Sequence, residues 1–347
     1  MRSSRVLAPL TLALGLGLAG TVPVAPATAK TDRVGAAGAT VSTRVGSYNI
    51  YAPVSVDSFE RSVRKTLPHV DILGLQEINS DLKEKRLYDA FHDQGWSFWR
   101  EIVAYYKPGR GPYARGTAGQ TPVMWRTARF DFENACRAPI SGIVDTGNEL
   151  PAGWKKDQKH WASLVRLHDR RTGREITIID VHLAQGVVSK GKRNPGHKKS
   201  FKMYKHQVAM VAPHSQRELA AGRTVFTLGD FNDPWAADNR VRNKHLPVAK
   251  MASVGMKALW ATKLPTGKPG RPGMAMIDQI YTKKSLKPTA TKVYHRIKGS
   301  DHRPIVGTYR IPVVPGTVYT AGTRPQPTFE PPLTHRDQHE NIHVCTW

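Results

Sequence analysis

Six polar clusters lie at or near the ends of apolar, strand-like runs of this chain, and their residue types are those that hold a hard metal ion and move a proton at a phosphate. The most informative is Gly229-Asp230-Phe231-Asn232-Asp233-Pro234, which follows the β-forming run Thr224–Leu228. Gly229 lets backbone come close to a ligand, and Asp230 and Asn232, two apart in extended chain, point the same way. Taken alone, the stretch reads almost as well as a polar turn closed by Pro234. Asn49, at the end of Arg44–Ile50, is by itself best read as a residue entering a turn. Glu77 follows the compact run Val70–Leu75, where a carboxylate is costly unless it is paired or binds metal. Asp278, inside the short run Met276–Tyr281, needs a partner for the same reason. His182 closes Ile176–Leu183; a lone histidine there is more often structural than catalytic. Asp301-His302 precedes the last strand, Ile305–Ile311. As a set these residues suit metal-assisted hydrolysis of a phosphodiester.

The elements that must position them follow from periodicity. Asp57-Ser58-Phe59-Glu60 has capping-box form with Asp57 as N-cap, and Val56, Phe59, Val63 and Leu67 then share a helical face. Ser80–Gln94 reads as a second amphipathic helix. Trp96, Phe98, Ile102 and Tyr106 suggest a strand. Trp161–Leu167 and Glu175–Leu183 suggest a hairpin, the second strand being apolar on both parities as in a central layer. A third helix is expected from about Phe201, broken or kinked at Pro213. Residues 133–158 read as irregular, and residues 236–272 give no clear element. About ten strand-like runs without regular βαβ alternation favour an α+β sandwich, two mostly antiparallel sheets face to face with helices outside.

Composition bounds the setting. Arg2 and Arg5, the apolar run Val6–Ala19 and the small-x-small site Ala27-Thr28-Ala29 form a secretory signal over residues 1–29. That apolar run is 14 residues, short of the roughly 20 needed to span a bilayer. Residues 30–43 read as a flexible leader, 44–311 as the folded domain and 312–347 as a Pro-rich tail. The formal charge is +25, and +23 once Arg2 and Arg5 are removed. Such an excess points to a polyanionic partner, although solubility or wall adhesion would also account for it. Positive side chains concentrate in two loops: Lys107–Thr121, with Arg110 and Arg115, and Ser189–Ser200, with Lys190, Lys192, Arg193, Lys198 and Lys199. In an exported chain the two cysteines, Cys136 and Cys345, are expected to pair. His335, His339 and His343 would share a helical face and could bind metal, but the surrounding prolines favour a mobile tail.

Ser47-Tyr48-Asn49, Leu75-Gln76-Glu77, Asp180-Val181-His182-Leu183, Gly229-Asp230-Phe231-Asn232, Ile277-Asp278-Gln279-Ile280 and Ser300-Asp301-His302-Arg303-Pro304 occur in this order. The series resembles the endonuclease/exonuclease/phosphatase superfamily, whose members include pancreatic-type DNases and neutral sphingomyelinases. The resemblance spans residues 44–311 and implies a four-layer α/β sandwich. It implies Mg²⁺ or Mn²⁺ held by Glu77, with Asn49 and Asp301 as further ligands. It also implies His302 as general base oriented by Asp278, Asp230 aiming the attacking water and Asn232 donating to the phosphate. His182 would stabilise the developing charge or protonate the leaving oxygen. A histidine at position 182 is similar to the DNase and sphingomyelinase branches and unlike the abasic-site endonucleases, which usually carry asparagine there. Val181 stands where Thr or Asn is common.

The expected function is therefore that of an exported, monomeric, metal-dependent endonuclease of low sequence specificity on DNA, with RNA as a further substrate. A secreted sphingomyelinase is the alternative enzyme; it requires apolar residues on a membrane-facing loop, for which the Gly95–Trp99 aromatics are the candidates. A catalytically dead basic binding module is the third reading, disfavoured because no candidate catalytic position is substituted.

Overall fold

The computed structural model describes residues 32–33, 38–78, 80–99, 121–142, 149, 160–261, 276–316, 318–319 and 344–345. The chain runs β1 (Asp32–Arg33), β2 (Thr40–Asn49), α1 (Val56–Thr66), β3 (Ile72–Gln76), α2 (Asp81–Phe91), β4 (Trp96–Trp99), β5 (Val123–Arg126), β6 (Phe130–Ser141), β7 (His160–Asp169) and β8 (Arg174–His182). It continues with β9 (Val188–Ser189), β10 (Lys192–Arg193), α3 (Lys198–Ala220), β11 (Thr224–Asp230), α4 (Trp235–Val241), α5 (Pro247–Ser253), β12 (Met256–Ala258), β13 (Asp278–Lys283), β14 (Pro288–Val293), β15 (Ile305–Pro312) and β16 (Val318–Tyr319).

Two six-stranded sheets carry the fold, in the orders β14-β15-β2-β3-β5-β4 and β12-β13-β11-β8-β7-β6. They are mostly antiparallel and have helices against them, which is the expected α+β sandwich. Each sheet contains one parallel pair, β2 with β3 and β8 with β11. That detail places the site, because the C-terminal ends of all four strands then lie on one edge of the sandwich. β13 runs antiparallel to β11 and β15 antiparallel to β2, so the segments preceding them reach the same edge.

The sheets meet through a buried apolar layer that joins Val45, Ile72 and Val123 of one to Val165, Ile178 and Leu228 of the other. Their spacing is tight at Gly74, where a β-carbon would stand 2.2 Å from Leu228 and 2.8 Å from Asp180 Oδ2. A second apolar cluster, including Phe59, Val63, Leu75, Leu87 and Phe91, seats α1 and α2 on the outer face of the first sheet.

Several local expectations differ from the structure. Ser55, not Asp57, caps α1, its Oγ accepting from Ser58 N at 3.3 Å. α3 runs through Pro213 for 23 residues and starts at Lys198. Burial of Val208, Val211, Ala212 and Ser215 around the proline offsets the lost backbone hydrogen bond, which costs about 3 kcal/mol. Residues 130–141 form the long strand β6, although 133–141 fall in the stretch read as irregular. Its register shifts near Asn134 and Pro139 are tolerated because β6 is the last strand of its sheet. β2 begins at Thr40, so residues 40–43 belong to the sheet rather than to a leader, and Asp32–Arg33 pairs with Val318–Tyr319 of the tail.

Cys136 and Cys345 form a disulfide with Cα atoms 5.1 Å apart. Val344 bridges to Arg137, and Cys345 N donates to Arg137 O at 3.0 Å, so the tail's end covers part of the exposed edge of β6. His335, His339 and His343 lie outside the described residues. No helix among the described residues is long and apolar enough to cross a membrane.

Candidate active site

Strand register assembles the site. Asp230 ends β11 and pairs with His182, the last residue of β8, on one side and with Asp278, the first residue of β13, on the other. Three polar residues from segments distant in sequence thus stand side by side. Gly229 makes this possible: its φ is 135°, and a β-carbon there would lie 1.9 Å from Val181 O. The close approach expected at Gly229 is thus to the neighbouring strand rather than to a ligand. From the facing sheet, Asn49 ends β2 and Glu77 follows β3, with φ of 64° turning its carboxylate inward.

The carboxylates are held by specific donors. Glu77 Oε1 accepts from Asn49 Nδ2 at 2.9 Å, and Glu77 Oε2 from Ala52 N at 2.7 Å. The same Asn49 Nδ2 reaches Asp230 Oδ2 at 2.9 Å. His182 Nε2 lies 3.7 Å from Glu77 Oε1 and 3.8 Å from Asp230 Oδ2. His302 Nδ1 meets Asp278 Oδ2 at 2.8 Å, while its Nε2 faces Asp230 Oδ2 at 3.7 Å and Asp301 Oδ1 at 3.9 Å. Ser300 Oγ donates to Asn49 O at 2.7 Å and accepts from His302 N at 2.9 Å, tying the last loop to β2.

This environment shifts the titrations. Burial alone would raise the Glu77 carboxyl, but His182, the Ala52 N–H, the Asn49 amide and His302 hold it below the usual carboxylate range. Burial alone would lower His302, but Asp278, with Asp230 and Asp301, pushes it up to about 10. Burial raises the Asp278 carboxyl against the attraction of His302. His160, at the start of β7, is buried and near His182, and is pushed down to about 4.

The donors fit a hard divalent cation. Glu77, His182 and Asp230 bring ligand atoms within 4.8 Å of one another, as do Asp230, Asp278 and His302. Around this space stand the carboxylates of Glu77, Asp230, Asp278 and Asp301, an excess of negative charge that is expensive without a cation. Asp278 Oδ1 is buried with no hydrogen-bond partner.

Two residues expected to touch metal or substrate bond to protein groups here. Asn49, expected as a metal ligand, directs its amide nitrogen to Glu77 and Asp230, while its Oδ1 accepts from Tyr51 N at 2.9 Å; it bridges the carboxylates. Asn232, expected to donate to a phosphate, has φ of 48° and donates its Nδ2 to Leu183 O at 2.8 Å. Its backbone N–H donates to Asp230 Oδ1 at 2.8 Å, so it fixes the turn that aims Asp230. Of the basic residues, Lys190, Lys192 and Arg193 are exposed on the β9–β10 hairpin, and Lys198 and Lys199 are exposed at the start of α3. This segment follows His182 and leaves the same edge of the sandwich. Arg110 and Arg115 lie outside the described residues.

Sequence reasoning assigns nothing to Ala52, Ser300, Gln76 or Asp180. Gln76 Nε2 donates to Asp180 Oδ1 at 2.7 Å, joining the strand before Glu77 to the strand before His182. Asp180 is fully buried and its carboxyl is raised by desolvation. Gln76, Asp180 and Ser300 lie inside the six motifs, whereas a backbone amide such as that of Ala52 leaves no trace in side-chain pattern.

A profile described as Endonuclease/Exonuclease/phosphatase family matches residues 46–302. No curated protein sequence is detectably similar to the chain. Among solved structures, an endonuclease/exonuclease/phosphatase from Bacteroides vulgatus superposes with a TM-score of 0.55 at 16% identity, covering 78% of this chain and 99% of its own. TDP2 from D. rerio, humanized by 14 mutations, gives 0.52 at 14% identity over 77% of this chain and 98% of its own. Bt3783, a mannosyl-6-phosphatase from Bacteroides thetaiotaomicron, gives 0.50 at 18% identity over 76% and 98%. At these identities the likeness is one of fold.

Proposed function

The chain belongs to the endonuclease/exonuclease/phosphatase family, whose members hydrolyse phosphoester bonds, and from that premise we propose that it is an exported, metal-dependent endonuclease of low sequence specificity acting on DNA. The observation that carries the chemistry is His302, backed at 2.8 Å by Asp278 and facing Asp230 at 3.7 Å, opposite the braced carboxylate of Glu77.

Glu77, Asp230 and Asp301 would hold the metal, Mg²⁺ or Mn²⁺, with Asn49 fixing the first two. When bound, the cation would supply positive charge to stabilise a non-bridging phosphate oxygen and the departing alkoxide, and that charge would favour the neutral form of His302. His302 Nε2 then takes the proton of the attacking water, and Asp278 keeps Nδ1–H directed at its own carboxylate and stabilises the imidazolium that forms. Asp230 accepts from that water and orients it. His182, 3.7–3.8 Å from Glu77 and Asp230, donates to the phosphoryl oxygens or the leaving oxygen. Gln76, Asp180 and Ser300 position these groups without touching substrate.

Support for a nucleic acid lies in the charge, +25 for the full chain and +23 without Arg2 and Arg5, and in the cationic β9–β10 hairpin at the edge that holds the site. The aromatics considered for a membrane-facing loop are not presented that way. Trp96 is buried under Arg126, Phe98 packs against the second apolar cluster and Trp99 against the main core. The signal over residues 1–29 and the Cys136–Cys345 disulfide support export. Supercoiled plasmid and sphingomyelin vesicles, offered side by side with Mg²⁺ and with chelator, test the reading. Metal-dependent nicking of plasmid with intact sphingomyelin is expected; the reverse selectivity would overturn it.

A further inference from the structure

We propose that Tyr51 is a substrate-contacting specificity residue, whose ring stacks on the nucleobase next to the scissile phosphate; this rests on the nuclease reading above. Tyr51 is 40% exposed and is the one aromatic side chain exposed to that degree among the described residues. Its φ is 66°, in the left-handed region where a glycine is at ease and a tyrosine is strained.

The strain is held in place by the metal-binding carboxylates themselves. Tyr51 N donates to Asn49 Oδ1 at 2.9 Å, and the other end of that amide donates to Glu77 and Asp230. The next residue, Ala52, donates its N–H to Glu77 Oε2 at 2.7 Å, and its carbonyl accepts from Lys83 Nζ at 2.6 Å. Val54 N closes the turn on Tyr51 O at 3.0 Å. Tyr51 is thus held between two residues that both grip Glu77, which keeps its exposed ring beside the site. A position where glycine would relieve the backbone instead carries a large exposed aromatic ring. That combination points to contact with substrate rather than to folding.

The ring's partner follows from chemistry. A phosphodiester flanked by flat, apolar groups describes a nucleic acid strand, and stacking on tyrosine accepts any base, as low specificity requires. The cationic hairpin of Lys190, Lys192 and Arg193 would meet the backbone from the same edge. A membrane surface is less well matched, because Tyr51 has no exposed aromatic companion among the described residues.

The test uses the whole mature protein, wild type and with Tyr51→Ala, Tyr51→Gly or Tyr51→Phe. Substrates are an oligonucleotide with a mapped cleavage site, the same oligonucleotide with abasic tetrahydrofuran units flanking that site, and sphingomyelin vesicles. Tyr51→Ala and Tyr51→Gly should raise KM on the intact oligonucleotide about tenfold, the loss of one stacked base, with kcat nearly unchanged. Tyr51→Phe should behave as wild type. On the abasic substrate the wild type should already show the raised KM, with no further loss in Tyr51→Ala. Tyr51→Gly should melt no lower than wild type, because it relieves the backbone, which separates weakened stacking from a damaged fold. A wild-type KM in Tyr51→Ala, an equal loss on intact and abasic substrates, or a loss confined to vesicles would each overturn the proposal. If wild type leaves DNA uncut, the nuclease reading itself fails; if wild type and Tyr51→Ala cut alike, only the stacking interaction does.

Discussion

Replacing Asp278 by Asn, alone and together with His302→Asn, tests whether the two side chains act as one unit. The bond between His302 Nδ1 and Asp278 Oδ2 is 2.8 Å and buried, and Asp278 is the largest attractive influence that pushes His302 up to about 10. Removing the carboxylate leaves burial to depress the imidazole, with Asp230 and Asp301 as the remaining attractive charges. The imidazole pKa must therefore fall. A general base works when deprotonated, so the acidic limb of kcat/KM should move to lower pH in Asp278→Asn. Its plateau should also drop, because a weaker and less firmly oriented base transfers the proton more slowly. His302→Asn should cost about 10²–10⁴ in rate, the usual contribution of a general base. Asp278→Asn should cost less, about 10–10², since the imidazole remains. The double variant should be little worse than His302→Asn, so the coupling should equal the Asp278→Asn loss, about 1.4–2.7 kcal/mol. The assay is kcat/KM on plasmid across pH for the four proteins, with circular dichroism confirming the fold. Losses that multiply, or an acidic limb that stays in place, would refute the pairing as a catalytic device and leave Asp278 a structural or metal-binding role.

Three further outcomes are expected. His160, buried and pushed down to about 4, takes up a proton in the unfolded chain before it does in the folded one. Its stabilising contribution should be complete above about pH 6.5 and lost as pH falls toward 4, so denaturant titrations should show His160→Gln with a shallower loss of stability across that window. The Cys136–Cys345 bridge closes a sequence separation of 209 residues, for which chain entropy gives about 5 kcal/mol at 25 °C, so reduction should shift the urea midpoint accordingly and labelling of unreduced protein should find no thiol. Changing Lys190, Lys192, Arg193, Lys198 and Lys199 to Ser should flatten log K against log[salt] on duplex DNA by about 0.9 for each phosphate no longer neutralised, and an unchanged slope would mean that the hairpin only faces solvent.

Much of the architecture is legible because burial makes certain residues conspicuous. Glu77 and Asp278 stand where an unpartnered acid is costly, and both are partnered. The apolar runs of β8 and β11 announce central strands, and the sandwich follows from their number and spacing. What local pattern does not carry is orientation. Asn49 and Asp230 are 181 residues apart, so nothing near Asn49 reveals that its amide nitrogen bridges two carboxylates. Asn232 reads as the continuation of an extended strand, but its φ of 48° turns the chain and directs its side chain to Leu183 O. β6 is hidden by Asn134 and Pro139, poor strand formers that an edge position accepts. Pro213 looks like a helix end because the packing that carries α3 through it comes from β6 and β11, which lie elsewhere in sequence.

The central claim is that a divalent cation held by Glu77 drives hydrolysis of a phosphodiester. Its most direct measurement is plasmid cleavage by Glu77→Gln beside wild type, each with Mg²⁺ and with excess EDTA, at protein concentrations where circular dichroism shows both folded. The variant keeps the shape of Glu77 but loses the charge that the Asn49 amide and Ala52 N–H hold in place. Wild type should cut only with metal, and Glu77→Gln should lose most turnover in either condition. Full activity in Glu77→Gln, or in wild type with EDTA, would contradict the account.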